Sequence, residues 1–284
     1  AILWLASFPK SGNTWLRAFL GNYFANSTSP LSLDQVHGQG FSDAQAWPYQ
    51  EISGKLPPEM TEEEIGALRP RVHAKLASTS QDHVLVKTHN AIGNVAGVPT
   101  VTRKLTMGGI YVVRNPWDLA VSYADHYGMS IDDTIAAFNS PSLATNRSQT
   151  QVSQYLGTWS GHLASWQSAA WIPLQTVHYE DMVSKPHETF GKVTHFLNLP
   201  VDSVRLDRAI QFSSFNELSS QEGQTGFAEK SRHSERFFRS GRVGGWRDVL
   251  TDEQATRLAK DHEQALKAHG YLAADGTILD ERAA

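Results

Sequence analysis

A chain of 284 residues with 40% hydrophobic and 10% aromatic side chains has ample material for a packed core. It contains no cysteine, which excludes disulfides and thiolate metal sites and fits a reducing compartment. A formal charge of −4 argues against a protein that holds nucleic acid by bulk electrostatics, so any anion site has to be built locally.

The first predicted strand is Ile2–Ser7, and its core-like character leaves no leader or anchor to be expected there; no apolar run approaches the length of a membrane span. A helix follows over Thr14–Ala25, with Trp15, Phe19, Leu20 and Tyr23 at helical spacing toward the sheet. Residues 27–60, rich in Ser, Pro, Gly and Gln, read as loop with short elements. Thr61-Glu62-Glu63-Glu64 is a capping-box pattern opening a helix through about Leu76. Strands are predicted at His83–Thr88 and Gly109–Val113, and Pro116 suits the first turn of a helix reaching about Tyr127. A long helix is predicted over Gln151–Ala170, a strand over Leu174–Tyr179 and a helix from Pro186 to about Leu197. Residues 220–248 hold many Gly, Ser and Arg and few aliphatics, which predicts irregular backbone. The last helix opens on the second capping box, Thr251-Asp252-Glu253-Gln254, and stops at Gly270. This alternation predicts an α/β fold: a single domain over residues 1–284, with a central, mostly parallel β-sheet flanked by helices.

Between the first strand and the first helix stands Phe8-Pro9-Lys10-Ser11-Gly12-Asn13-Thr14-Trp15. A strand-loop-helix junction points free N–H groups and a positive helix end at one spot, and a lysine, a glycine and two hydroxyls converge there. That is the chemistry of a phosphate cradle, although the spacing of a Walker A loop is missing. The order resembles the 5′-phosphosulfate loop of sulfotransferases that use 3′-phosphoadenosine 5′-phosphosulfate (PAPS), which implies a P-loop-like fold and donor contacts from Lys10, Ser11, Gly12, Asn13, Thr14 and Trp15.

A second pattern is Val113-Arg114-Asn115-Pro116-Trp117-Asp118, with Ser122 two helical turns on. An arginine at the exit of a buried strand is placed to grip an anion with its planar fork, or to pair with Asp118 at the helix start. It resembles the family's 3′-phosphate motif, which implies Arg114 and Ser122 as ligands of that phosphate. A third, Lys87-Thr88-His89 at a strand end, resembles the segment carrying the family's catalytic base. The resemblance implies His89 as base, Lys87 on the sulfuryl oxygens and Lys10 on the leaving oxygen. Asn90-Ala91 departs from the apolar residue and proline usual after that histidine.

Further matches implied by the same resemblance are Tyr179 near the adenine, Ser213 and the ring of Phe215 beside it, and Arg239 with Ser240 and Gly241 completing the 3′-phosphate site. Ser240 replaces the usual lysine, with Arg242 as the candidate for the displaced charge. Trp159, His162 and Trp166 fall on one helix face and read as packing residues. No histidine spacing suggests a metal site. The implied activity is transfer of a sulfuryl group from PAPS to a hydroxyl or amine of a small-molecule, carbohydrate or natural-product acceptor, releasing PAP, without metal, in the cytoplasm. No nucleic-acid partner is implied. The family's dimer segment is matched only in part around Arg247–Thr256, which leaves the oligomeric state open. Trp47, Tyr49, Tyr123, Tyr127 and Met129 are candidates for an acceptor wall, and core packing accounts for them nearly as well.

Overall fold

The computed structural model describes residues 1–38 and 40–283. Its strands are β1 (Ile2–Ser7), β2 (Phe41–Ser42), β3 (Val84–Thr88), β4 (Asn94–Val95), β5 (Val98–Pro99), β6 (Thr106–Val113) and β7 (Leu174–His178). The helices of the first half are α1 (Asn13–Ala25), α2 (Leu33–Gly38), α3 (Ala46–Ser53), α4 (Glu62–Ala77), α5 (Pro116–Tyr127) and α6 (Ile131–Phe138). Those of the second half are α7 (Trp159–Gln167), α8 (Tyr179–Ser184), α9 (Pro186–Phe196), α10 (Ser203–Phe212), α11 (Phe215–Thr225), α12 (Asp252–Asp261) and α13 (Glu263–Ala268). The central sheet has the order β2-β3-β1-β6-β7, with β3 parallel to both β1 and β2, while β4 and β5 form a separate antiparallel pair. The architecture is therefore α/β with a mostly parallel sheet, as the alternation of elements predicts. By compactness the chain divides into two units interleaved in sequence: Ala1–Pro9, Gly40–Tyr111 and Ala137–Thr176 form one, and Lys10–Gln39, Val112–Ala136 and Val177–Ala284 the other.

In the first unit every residue of β1 is buried, the expected state of an apolar run covered on both faces. Its register against β3 pairs Leu5 with Lys87 and Ala6 with Thr88. Trp4 meets His73 of α4 edge-on and donates its indole N–H to the Thr106 hydroxyl at 2.9 Å. The α4 cap is the predicted one: Thr61 and Glu64 exchange side-chain and backbone hydrogen bonds. On α7, Trp159, His162 and Trp166 are all buried.

In the second unit α1 packs against α2 and α10, and Phe19 stacks on Phe190 of α9 with ring centres 4.1 Å apart. A second apolar cluster joins Ala18, Leu33, Val36, Leu218, Phe227 and Phe238, with Trp15, Phe215 and Phe237 packed against it. α5 begins on the Asn115 cap with Pro116 in its first turn, and Trp117 donates to the Ala255 carbonyl of α12 at 2.9 Å.

Two predicted helices are corrected. The long helix starts at Trp159 and not at Gln151, because Gly157 takes a positive φ of 65° and Thr158 caps α7; residues 151 and 155 form bridges with Gln45 and Ala144 instead. The last helix is broken at His262, whose backbone (φ −121°, ψ 21°) leaves helical geometry, giving α12 and α13.

Candidate active site

Two groups of predicted site residues stand out, one in each unit. In the second unit, Lys10 and Gly12 both have positive φ, 70° and 107°. At Gly12 this backbone state strains any side chain, and a Cβ there would lie 2.7 Å from Tyr179 Cδ2. The turn presents the start of α1 without a side-chain cap and without an acidic residue in its first turn. The N–H groups and positive end of such a helix start suit an anion. The Ser11 hydroxyl and the Trp15 indole N–H are buried and have no hydrogen-bond partner among the described residues. Leaving such a group unmatched costs about 1–3 kcal/mol, which a polar ligand recovers.

Arg114, the residue after β6, donates from Nη1 to the Lys10 carbonyl at 3.2 Å. Its guanidinium carbon lies 4.2 Å from the centre of the Tyr179 ring, and its Nε is buried without a hydrogen-bond partner among the described residues. Burial pushes the Tyr179 hydroxyl above the usual phenol range, against the opposing pull of Arg114, so it stays protonated. Trp15 meets the same tyrosine edge-on at 5.6 Å. Lys10, Ser11, Gly12, Trp15, Arg114 and Tyr179 thus form one cluster.

Asp118 does not serve Arg114. Its carboxylate accepts from the Asn115 side chain at 3.0 Å and from the backbone N–H groups of Gly244 and Trp246, at 2.8 and 3.0 Å. Buried Glu222 accepts from the N–H groups of Phe237 and Phe238 at 2.6 and 2.9 Å. Two carboxylates therefore hold both ends of the irregular segment that carries Arg239, Ser240 and Gly241, and satisfy donors that no helix or strand satisfies there. Arg239 and Ser240 are exposed, whereas a Cβ on Gly241 would overlap the Phe215 ring. Ser122 is half-buried on α5. Ser213 is fully buried and its hydroxyl donates to the Ala209 carbonyl at 2.8 Å, closing the end of α10 just before Phe215. Arg242 pairs with exposed Asp248 at 2.5 Å, so the charge predicted to replace the missing lysine is engaged within its own loop.

Lys10 Nζ sits 3.7 Å from the centre of the Phe237 ring and 3.4 Å from His126 Nδ1. The Thr14 hydroxyl donates to Glu229 at 3.1 Å and accepts from Arg17 at 3.1 Å, with Arg17 and Glu229 paired at 2.5 Å. Its one proton is thereby directed at a carboxylate 215 residues away in sequence, a contact that no local pattern announces.

In the first unit His89 follows β3. Its Nδ1 lies 2.7 Å from the Ser7 carbonyl, so the proton resides there and Nε2 carries the lone pair. The His89 carbonyl accepts from His162 Nε2 at 2.9 Å, and His162 Nδ1 accepts from the Tyr111 hydroxyl at 2.7 Å. Burial pulls His162 down to about 4, so it is neutral at pH 7, in keeping with this donor and acceptor pattern. Lys87 is half-buried on β3 opposite Leu5. Asn90 donates to buried Asp43 at 2.9 Å and accepts from the Tyr155 N–H at 2.8 Å. Of the candidate acceptor-wall residues here, Tyr49 is 1% exposed and belongs to the core, while Trp47 is 39% exposed.

Burial pushes Asp43 up to about 6, against opposing hydrogen bonds from Thr88 and Asn90 and the charges of Arg69 and Lys87. A carboxyl raised above its unfolded value of 3.8 adds stability below that pH, and loses it as pH rises through about 6. The difference corresponds to about 3 kcal/mol at most. Urea unfolding between pH 4 and 7 should therefore show a slope of this sign that Asp43→Asn reduces, even though the amide lowers stability overall by turning an NH₂ toward donors.

Among the described residues no group of three or more His, Cys, Asp or Glu is arranged to hold a metal ion, and no helix is long and apolar enough to cross a membrane. The chain is 27% identical to cytosolic sulfotransferase 5 of Arabidopsis thaliana over 281 residues, covering 94% of this chain and 80% of that protein. It is 24% identical to flavonol 3-sulfotransferase of Flaveria bidentis, covering 95% and 83%. Its fold is similar to mouse sulfotransferase SULT7A1 complexed with PAP, with a TM-score of 0.60 at 19% identity over 97% of this chain and 87% of that one. A retinol dehydratase complexed with retinol and PAP gives a TM-score of 0.63 at 18% identity, over 94% and 81%. The family model described as Sulfotransferase domain matches residues 2–270, and the chain belongs to the sulfotransferase family.

Proposed function

We propose that this sulfotransferase takes its sulfuryl group from PAPS and delivers it to a hydroxyl or amine of a small-molecule, carbohydrate or natural-product acceptor. One observation carries the donor assignment: Arg114 bonds the Lys10 carbonyl beside an uncapped helix start, with the Ser11 hydroxyl and Arg114 Nε both buried and unmatched among the described residues. Those atoms fit a donor carrying two phosphate groups. The family match crosses both units, which supports reading residues 1–284 as one sulfotransferase domain.

In this reading the backbone N–H groups of Ser11, Gly12, Asn13 and Thr14 and the Ser11 hydroxyl hold the 5′-phosphate. Arg114, Ser122 and Arg239, with the backbone of Ser240 and Gly241, hold the 3′-phosphate. Trp15, Tyr179 and Phe215 offer flat surfaces to the base, and Ser213 fixes the turn before Phe215. When bound, PAPS supplies the activated sulfuryl group and leaves as PAP. Lys10 neutralises charge at the leaving oxygen, and Lys87 steadies the sulfuryl oxygens. His89 accepts the acceptor's proton at Nε2, the nitrogen its bond to Ser7 leaves basic. Lysine and arginine supply the neutralising charge, and no metal is invoked.

The test is a PAPS-dependent screen of phenols, sugars, lipids and amines, reading sulfated product by mass; transfer to none of them while ATP is turned over would overturn it. Asp118 offers a separate check, because it touches the loop and is assigned no donor contact. Asp118→Ala frees the N–H groups of Gly244 and Trp246. It is expected to weaken PAP binding by roughly tenfold in calorimetry, the scale of one charge-assisted hydrogen bond lost from the support.

A further inference from the structure

We infer that Asp43 is a positioning residue for His89, an inference that rests on the reading of His89 as the base. The short strand β2 pairs Phe41 with Val86 and Ser42 with Lys87, which carries the next residue, Asp43, alongside Thr88. The Asp43 N–H continues the ladder by donating to the Lys87 carbonyl at 3.1 Å. The side chain is 1% exposed. One carboxylate oxygen accepts from the Thr88 hydroxyl at 2.7 Å and from Asn90 Nδ2 at 2.9 Å, the residues immediately before and after His89. The other accepts from Gln154 Nε2 at 2.9 Å.

Asn90 is in turn fixed at every polar group it has. Its N–H donates to the Thr88 hydroxyl at 3.0 Å, its side-chain oxygen accepts from the Tyr155 N–H, and its carbonyl accepts from the Trp166 indole at 3.0 Å. A single buried carboxylate thus clamps both chain neighbours of His89. The imidazole Nδ1 meets the Ser7 carbonyl, and the His89 carbonyl accepts from His162. Residue type follows from the donors: three N–H or O–H groups converge, and an ionised carboxylate is the one side chain that accepts from all of them. An amide would turn its NH₂ toward one of the three, and alanine would leave all three unmatched. Either change lets the strand tip relax, and a displacement of about 1 Å at a catalytic group costs up to 10²-fold in rate.

The experiment compares Asp43→Asn and Thr88→Val, each alone and combined with His89→Ala. The readouts are kcat with PAPS and an acceptor from the screen, KM for PAPS, and PAP affinity by calorimetry. Asp43→Asn is expected to lower kcat at least tenfold while KM for PAPS and PAP affinity stay within twofold, and to change kcat less than twofold when His89 is already alanine. Thr88→Val, which removes one of the three donors, is expected to lower kcat about threefold with the same dependence on His89. A folded Asp43→Asn variant with kcat within twofold of the parent overturns the inference. So does an equal fall in the His89→Ala background, since the effect would then not pass through the histidine. If Asp43→Asn fails to fold, Thr88→Val decides by the same criteria. Full turnover by His89→Ala sinks the base assignment itself, an outcome distinct from an enzyme that needs His89 and is indifferent to Asp43.

Discussion

Replacing His89 with alanine is expected to lower kcat by about 10²–10⁴-fold, the range typical of losing a general base. The geometry makes this a specific expectation for one nitrogen. The Ser7 carbonyl takes the Nδ1 proton, and a carbonyl can only accept, so the tautomer with a basic Nε2 is the one the surroundings favour. The supporting histidine, His162, is held neutral by burial and adds no competing positive charge. PAP affinity should be little changed, because the donor contacts are assigned to Lys10 through Trp15, Arg114 and the 239–241 turn. Steady-state turnover with an identified acceptor checks the point, and a variant within threefold of the parent contradicts it. Asparagine at 89 preserves a donor to Ser7 but supplies no base, so His89→Asn should be as slow as His89→Ala.

Arg114→Ala should weaken PAP binding by about 10²–10⁴-fold. Hydrogen bonds to charged groups are worth about 1.5–3 kcal/mol each, and a guanidinium fork gives a phosphate two. The cost to the fold is smaller: one bond to the Lys10 carbonyl and the contact with Tyr179. Arg114→Lys keeps the charge and loses the planar fork, so it should fall between the two. Calorimetry with PAP separates the three proteins, and equal affinity across them contradicts the assignment of Arg114.

Much of this arrangement is legible in sequence because its signals are local. β1 and α5 are read to the residue, since an uninterrupted apolar run and an Asn-Pro helix start are each dictated by nearby chemistry. The same holds for the caps of α4 and α12. What escapes is set by partners far along the chain. Asp118 and Glu222 look like ordinary helical acids, yet they bind backbone 126 and 15 residues away and hold the 237–246 segment. Glu229 on Thr14 and Asp43 beside Thr88 arise only once the fold brings them together. α10 goes unread although Leu206, Ala209 and Ile210 stand at helical spacing, and only Ala209 of these is buried. α11, with just Phe215 and Leu218 as large apolar residues, gives a weak pattern and runs to Thr225, so residues 220–225 are helical where irregular backbone is predicted. The fault over residues 151–158 has the opposite cause: a periodic stretch continues past Gly157, where the backbone turns left-handed.

Titration of the protein with PAP by isothermal calorimetry tests the central claim most directly, because it asks only whether the loop at Lys10–Trp15 and the Arg114 guanidinium hold a doubly phosphorylated adenosine. The expected result is one site per chain with a dissociation constant of about 1–100 μM, in the range of ordinary enzyme substrates, and binding tighter than that of ATP. Absence of any binding heat up to millimolar PAP, or tighter binding of ATP, contradicts the account.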